Sequence, residues 1–417
     1  MRKIYSLFLI CFCLVCHSSW SQSEQVSPFI KELAPLAISK DTGRNPQSKT
    51  WFYNCKQWAV LPNNDGTFLW RLDGNKWTNV LKLSDKEYKA DCKIVDDIAH
   101  ILLFMDGGTS FLASIVHDPD NNIYTPWPER PKPVGIDLGK EAETATIDID
   151  SKGRMWLASD TRSDITVRWS DAPYTAWSEP ITLATGVTPN DICAVTTLSG
   201  KIGVFWSDQN KQRFGFRVHN DGADPSNWAA DEEPASQSAL AIYRGMADDH
   251  INMAISSDGT LYCAIKTEYD TQGFPKIALL IRQPSGTWDE LYEVSQKGTR
   301  PVVLLNEAEK KVKVIYTSQD VYSNIVYKES PTTSIAFSEQ KILIKGQYND
   351  ATSSKANYTS DIAVLASNGT KAVGALIADG PRDPNCMEPE WAIYPNPFHL
   401  KSALYFSLTN GGKYTIT

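Results

Sequence analysis

Apolar and polar residues alternate in short runs along most of this chain, and a tight turn cuts off each run. Residues 63–72 (NNDGTFLWRL), 150–159 (DSKGRMWLAS), 198–207 (LSGKIGVFWS), 256–265 (SSDGTLYCAI), 307–318 (EAEKKVKVIYTS) and 367–378 (SNGTKAVGALIA) share this outline. A turn feeding a period of two predicts a half-buried β-hairpin. Another apolar run precedes most of them, as in TATIDI, ICAVTT, INMAIS, PVVLLN and DIAVLA. An aromatic residue followed by a short strand comes after them, at Trp77, Trp127, Trp177, Trp228, Trp288 and Phe337. The anchors recur at a spacing of about 50 residues, close to the length of a four-stranded propeller blade.

These elements assemble into an all-β, seven-bladed propeller over residues 28–380. The inner strands are expected near 52–61, 90–95, 144–149, 190–197, 250–256, 300–305 and 360–366. The last unit has no outer strand behind it. Residues 32–43 (ELAPLAISKDTG) read like EPITLATG, so this segment is expected to close the ring as the outer strand of the last blade. Closure of that kind leaves no exposed sheet edge.

Composition narrows the partners. The 417 residues carry a net charge of −8, with 13 Trp and 17 Tyr. An acidic chain without a dense Lys/Arg cluster lacks the basic face that phosphate binding needs, which excludes a nucleic-acid partner. The amino terminus, MRKIYSLFLICFCLVCHSSWSQ, has a basic start, an apolar run and small residues at Ser19 and Ser21. It reads as a signal peptide over 1–21, too short to span a bilayer, so the mature chain is expected to be exported without a transmembrane segment. Of the remaining cysteines, Cys55, Cys92 and Cys193 lie in comparable strand contexts and read as small buried side chains, with a Cys55–Cys92 bridge as the alternative. No CxxC spacing points to a metal, and no cofactor is expected.

The repeat pattern resembles the sialidase-like (BNR-repeat) propellers common among secreted bacterial carbohydrate-active proteins. DSKGRMW at 150–156 and SSDGTLY at 256–262 are degenerate relatives of that family's Asp-box, whose full SxDxGxxW form is absent. After a linker at 381–390, YPNPF, a strand and NGGKYTIT resemble the start of the C-terminal sorting domain of proteins exported by the type IX secretion system of Bacteroidetes. The resemblance implies a partial β-sandwich sorting domain over 391–417, the secretion machinery as a partner, and a secreted or outer-membrane surface-attached protein.

Propeller loops that lead into the inner strands converge on one mouth, where function collects. The polar residues expected there include Asp91, Lys93, Asp191, His250, Asn252, Arg300 and Asp361. His250, in DDHINMAIS, is the best general acid or base. Arg300, in GTRPVVLL, could clamp a carboxylate in two-pronged fashion, and its structural alternative is a salt bridge to Asp361. Asp91, Asp191 and Asp361 could supply the two separated carboxylates of an inverting hydrolase, whereas His250 with Arg300 would suit a lyase acting on uronic-acid polymers. Arg168 and Tyr316 are candidate substrate contacts, and Trp206 is the first choice for stacking on a sugar ring. The Trp anchors that recur at blade period read as packing between blades. The chain therefore reads as a propeller that binds and cleaves an acidic polysaccharide, with a non-catalytic glycan-binding module or adhesin as the alternative.

Overall fold

The computed structural model describes residues 29–43, 46–235, 243–320, 322–381, 386, 392–394 and 403–405. The expected signal peptide lies outside these residues, as do most of the linker and of the expected sorting domain. In the latter region, Ala392–Tyr394 pairs antiparallel with Ala403–Tyr405.

Seven antiparallel sheets form the blades of a β-propeller. We number them from the amino terminus. Their inner strands are Thr50–Tyr53, Lys89–Val95, Ala145–Ile149, Cys193–Leu198, Ile251–Ile255, Thr299–Asn306 and Asn349–Thr352. Strand character follows position in the blade. The second strand of blade two, Ile98–Phe104, is covered by neighbouring blades on both faces and is buried along nearly all its length. The outermost strand of blade one, Lys76–Ser84, is exposed or half-buried throughout. Blade two carries an extra strand, Ile123–Pro126, and blade four replaces its outer strand by two isolated bridges, Phe216 to Glu232 and His219 to Trp228.

The ring closes as expected. Phe29–Ala37 pairs antiparallel with Lys371–Ala378 and becomes the fourth strand of blade seven. Hydrophobic clusters fill the spaces between blades, and the recurrent Trp residues belong to them. Trp228 of blade four meets Trp156 of blade three edge to face at 5.5 Å, and Trp288 of blade five meets Phe216 of blade four in the same way.

Two inner strands differ from expectation. Segment 52–61 is a hairpin, because Asn54 and Cys55 take left-handed backbone (φ 45° and 61°) and turn the chain between Thr50–Tyr53 and Lys56–Asn63. Segment 360–366 is the second strand of blade seven, whose inner strand is Asn349–Thr352. In both blades the turn-rich hairpin (NNDG, SNGT) joins strands two and three, whereas in blades three to six the matching turn joins strands one and two.

The cysteines resolve differently from either alternative for Cys55, which bonds Cys386 rather than Cys92. Cys92, Cys193 and Cys263 are free and buried. The bridge ties the first turn of blade one to the chain just beyond blade seven, on the face where inner strands end. We call that the lower face, and the face where they begin the upper. Among the described residues no helix is long and apolar enough to cross a membrane.

Candidate functional site

On the upper face, His250 stands immediately before the inner strand of blade five. The SSDG turn sets the register of the hairpin that follows, pairing Ile251 with Ile265 and placing Lys266 beside His250, whose carbonyl accepts the Lys266 N–H at 2.9 Å. His250 Nδ1 lies 2.9 Å from Asp248 Oδ1 and also contacts Asp249. Lys266 Nζ sits 2.7 Å from the other oxygen of Asp248. Asp248 is buried, while Asp249 is 39% exposed.

Electrostatics follow from this crowding. Burial alone would lower the His250 pKa, but hydrogen bonds and charge from Asp248 and Asp249 outweigh it, and the pKa lies above the ordinary imidazole value. Glu268 is pushed up by its hydrogen bond to Asp248, with burial adding to the effect. The cluster is thus built to keep protons on His250 and near Glu268. Ligand atoms of Asp248, Asp249 and His250 lie within 4.8 Å of one another and could approach a metal ion. Lys266 already places a cation against Asp248.

Arg300 opens the inner strand of blade six, next to His250's strand: Asn252 Oδ1 accepts the Val303 N–H at 3.0 Å. Its partner is Asp350 in the inner strand of blade seven, not Asp361, with Nε 2.7 Å from Oδ1. Both residues take left-handed backbone, φ 54° for Arg300 and 58° for Asp350, and both sit where the ladder skips residues. Such backbone costs about 1–3 kcal/mol per residue and gathers at functional sites. Two bulges on adjacent inner strands therefore aim a guanidinium and a carboxylate at each other. The segment behind the closing strand braces the pair. Thr42 donates its hydroxyl to the Asp350 carbonyl at 2.6 Å, and Gly43 passes so close that a Cβ there would lie 2.5 Å from Asp350 Oδ1.

Other expected residues go elsewhere. Asp91 is fully buried on the propeller axis, accepting the Ser48 and Ile147 N–H groups at 2.8 Å each and Lys355 Nζ at 2.5 Å. Lys355 also reaches the Ile147 carbonyl at 2.6 Å, and Ser48 donates its hydroxyl to the Ser353 carbonyl at 2.5 Å. Two chain segments thus meet inside the ring. Beside them a cavity of about 300 Å³ is lined by Lys93, Asp148 and Asn252, among others, with Lys93 Nζ 2.5 Å from Asp148 Oδ1. Lys49, fully buried at this axis and bonded to the Ala90 carbonyl, has its pKa pulled down to about 7 by burial.

Asp191 is buried, and its carboxylate accepts the Thr188 N–H at 2.7 Å and the Gln209 N–H, a loop staple. Asp361 opens the second strand of blade seven on the lower face, where its carbonyl accepts Gln57 Nε2. Trp206 is only 1% exposed, inside the cluster between blades three and four, and so offers no stacking face. Tyr316 is likewise buried, its hydroxyl 2.9 Å from Gln340 Oε1. Arg168 lines a groove on the propeller's side, away from the mouth. His250 stands just before the inner strand of blade five and Arg300 near the start of that of blade six, both on the upper face. Asp248, Lys266, Glu268 and Asp350 join them without having been anticipated.

No protein-family model matches this sequence, and a search of curated proteins finds no relative. Solved structures do match by shape. The polysaccharide lyase Uly1 aligns over 81% of this chain and 91% of its own, with 9% identity and a TM-score of 0.51. A protein of unknown function from Dyadobacter fermentans aligns over 84% and 99%, with 11% identity and a TM-score of 0.46. An α-L-arabinanase from Penicillium chrysogenum aligns over 73% and 100%, with 11% identity and a TM-score of 0.40. At these identities the likeness to Uly1 speaks to fold alone, and it is that of a seven-bladed propeller.

Proposed function

We propose that this protein is an exported, carbohydrate-active propeller that cleaves an acidic polysaccharide at its upper face. The observation that carries the reading is His250, gripped at Nδ1 by two carboxylates that hold its proton. Cleavage of a glycosidic bond, by hydrolysis or by elimination, needs a proton delivered to the leaving oxygen. A histidine whose proton is held more firmly than that of a free imidazole delivers it from Nε2, while Asp248, itself paired with Lys266, fixes the ring. Arg300 spends its Nε on Asp350, so its terminal nitrogens are the ones to meet a substrate carboxylate. A polysaccharide lyase on the same fold supports the reading by analogy. The signal-like amino terminus and the YPNPF tail support secretion, with attachment at the outer-membrane surface through the type IX machinery.

A glycan-binding module without turnover is the second reading, favoured by one observation: Asp350 already neutralises the Arg300 charge. Residues 22–417 incubated with acidic and neutral polysaccharides separate the two, following new reducing ends and the ultraviolet absorbance of unsaturated sugars together. Cleavage abolished in His250→Ala, with binding retained, is the expected result. Undiminished turnover in that variant would refute the site, and binding without any cleavage in the wild type would make the protein a capture module.

A further inference from the structure

We propose that the groove between the outer edges of blades two and three is a second carbohydrate site, selective for a neutral sugar and independent of the upper-face site. The groove measures about 510 Å³, within the usual range for small-ligand sites. Its origin is local. The outer strand of blade three begins only at Ile181, opposite Val167, so the next residue along the third strand, Arg168, lies beyond the end of the ladder. Residues 135–139 of blade two form the opposite wall.

Polar groups lining the groove are left uncommitted. Arg168 is half-buried, yet its guanidinium makes no hydrogen bond or close ion pair with a described residue; burial lowers its pKa while the charges of Asp137 and Glu179 partly restore it. The indole N–H of Trp177 is out of solvent and has no acceptor among the described residues. A buried donor left unpaired costs about 1–3 kcal/mol and calls for an explanation. On the acceptor side, Glu179 is exposed, and Asp137 spends one oxygen on the Gly139 N–H at 2.9 Å.

Two donors and two carboxylates around one aromatic residue match the alternating donor and acceptor demands of vicinal sugar hydroxyls. Two negative charges against one positive make the groove repel carboxylated, sulfated or phosphorylated ligands. The occupant is therefore a neutral sugar unit.

Calorimetric titration of the full chain with gluco-, galacto-, manno- and xylo-configured tetrasaccharides tests this. At least one is expected to bind, with affinity weakened about tenfold or more in Arg168→Ala and in Glu179→Gln and unchanged in His250→Ala. Glu179 is exposed and supports no packing, so Glu179→Gln reads the site even if Arg168→Ala melts early. No binding of any of the four, or affinity untouched by Glu179→Gln, would overturn the proposal. An equal loss in His250→Ala would also overturn it, by moving neutral-sugar binding to the mouth.

Discussion

Replacing Asp91 by Asn separates a structural carboxylate from a catalytic one. The wild-type side chain is fully buried and accepts three hydrogen bonds, from Ser48 N, Ile147 N and Lys355 Nζ. An amide keeps the shape but removes the charge that Lys355 faces, and turns one of two acceptors into a donor. Breaking one side of a buried ion pair costs about 3–5 kcal/mol. Lys355 keeps 21% of its side chain exposed, so the lower end, about 3 kcal/mol, applies. In a chain of this size each kcal/mol moves the melting midpoint by about 1.3 °C, giving a fall of about 4 °C by calorimetry. Adding Lys355→Met should cost less than the sum of the two single changes, because the lone ammonium disappears with its partner. Glycan turnover at 25 °C should survive. A midpoint shifted by less than about 1 °C, with turnover lost, would refute the axial role and return Asp91 to the catalytic candidates.

Two further outcomes follow from the geometry. His250 has a folded-state pKa above its unfolded value, so its contribution to stability is complete below about pH 6.5 and disappears as pH rises through the folded value. The melting midpoint of the wild type should therefore fall over that interval relative to His250→Gln, and parallel profiles would contradict the raised pKa. The Cys55–Cys386 bridge spans 331 residues of sequence, so reduction should lower the midpoint by an amount set by up to about 5 kcal/mol. An unchanged melt after verified reduction would show that strand pairing alone holds the ring.

The legible parts of this fold share a cause. Trp anchors, turn dipeptides and apolar runs repeat because every blade solves the same packing problem, and ELAPLA betrays ring closure because it is an outer strand without a blade. The inner strand of blade seven escaped because Asn349–Thr352 reads NDAT, with no apolar run to mark it. With the apolar run at 360–366 in the second strand, Asp361 falls on the lower face, and Asp350 of the polar inner strand is the partner of Arg300. Lys266 was within reach: the SSDG turn at 256–259 fixes which residue faces His250, and counting outward from it gives Lys266. Trp206 and Tyr316 are buried, which a one-dimensional pattern does not reveal because it does not say which side of a strand looks between blades and which looks outward.

The meeting of Ser48, Ser353 and Lys355 inside the ring has a consequence for any long ligand. Where these described residues join across the ring, a polymer does not thread between them. On the proposed function such a ligand would lie across the upper face like a rope over a capstan, touching the site wherever along its length it lands. Encounter would then be indifferent to chain ends, and the products of the proposed cleavage would leave by the side they came from.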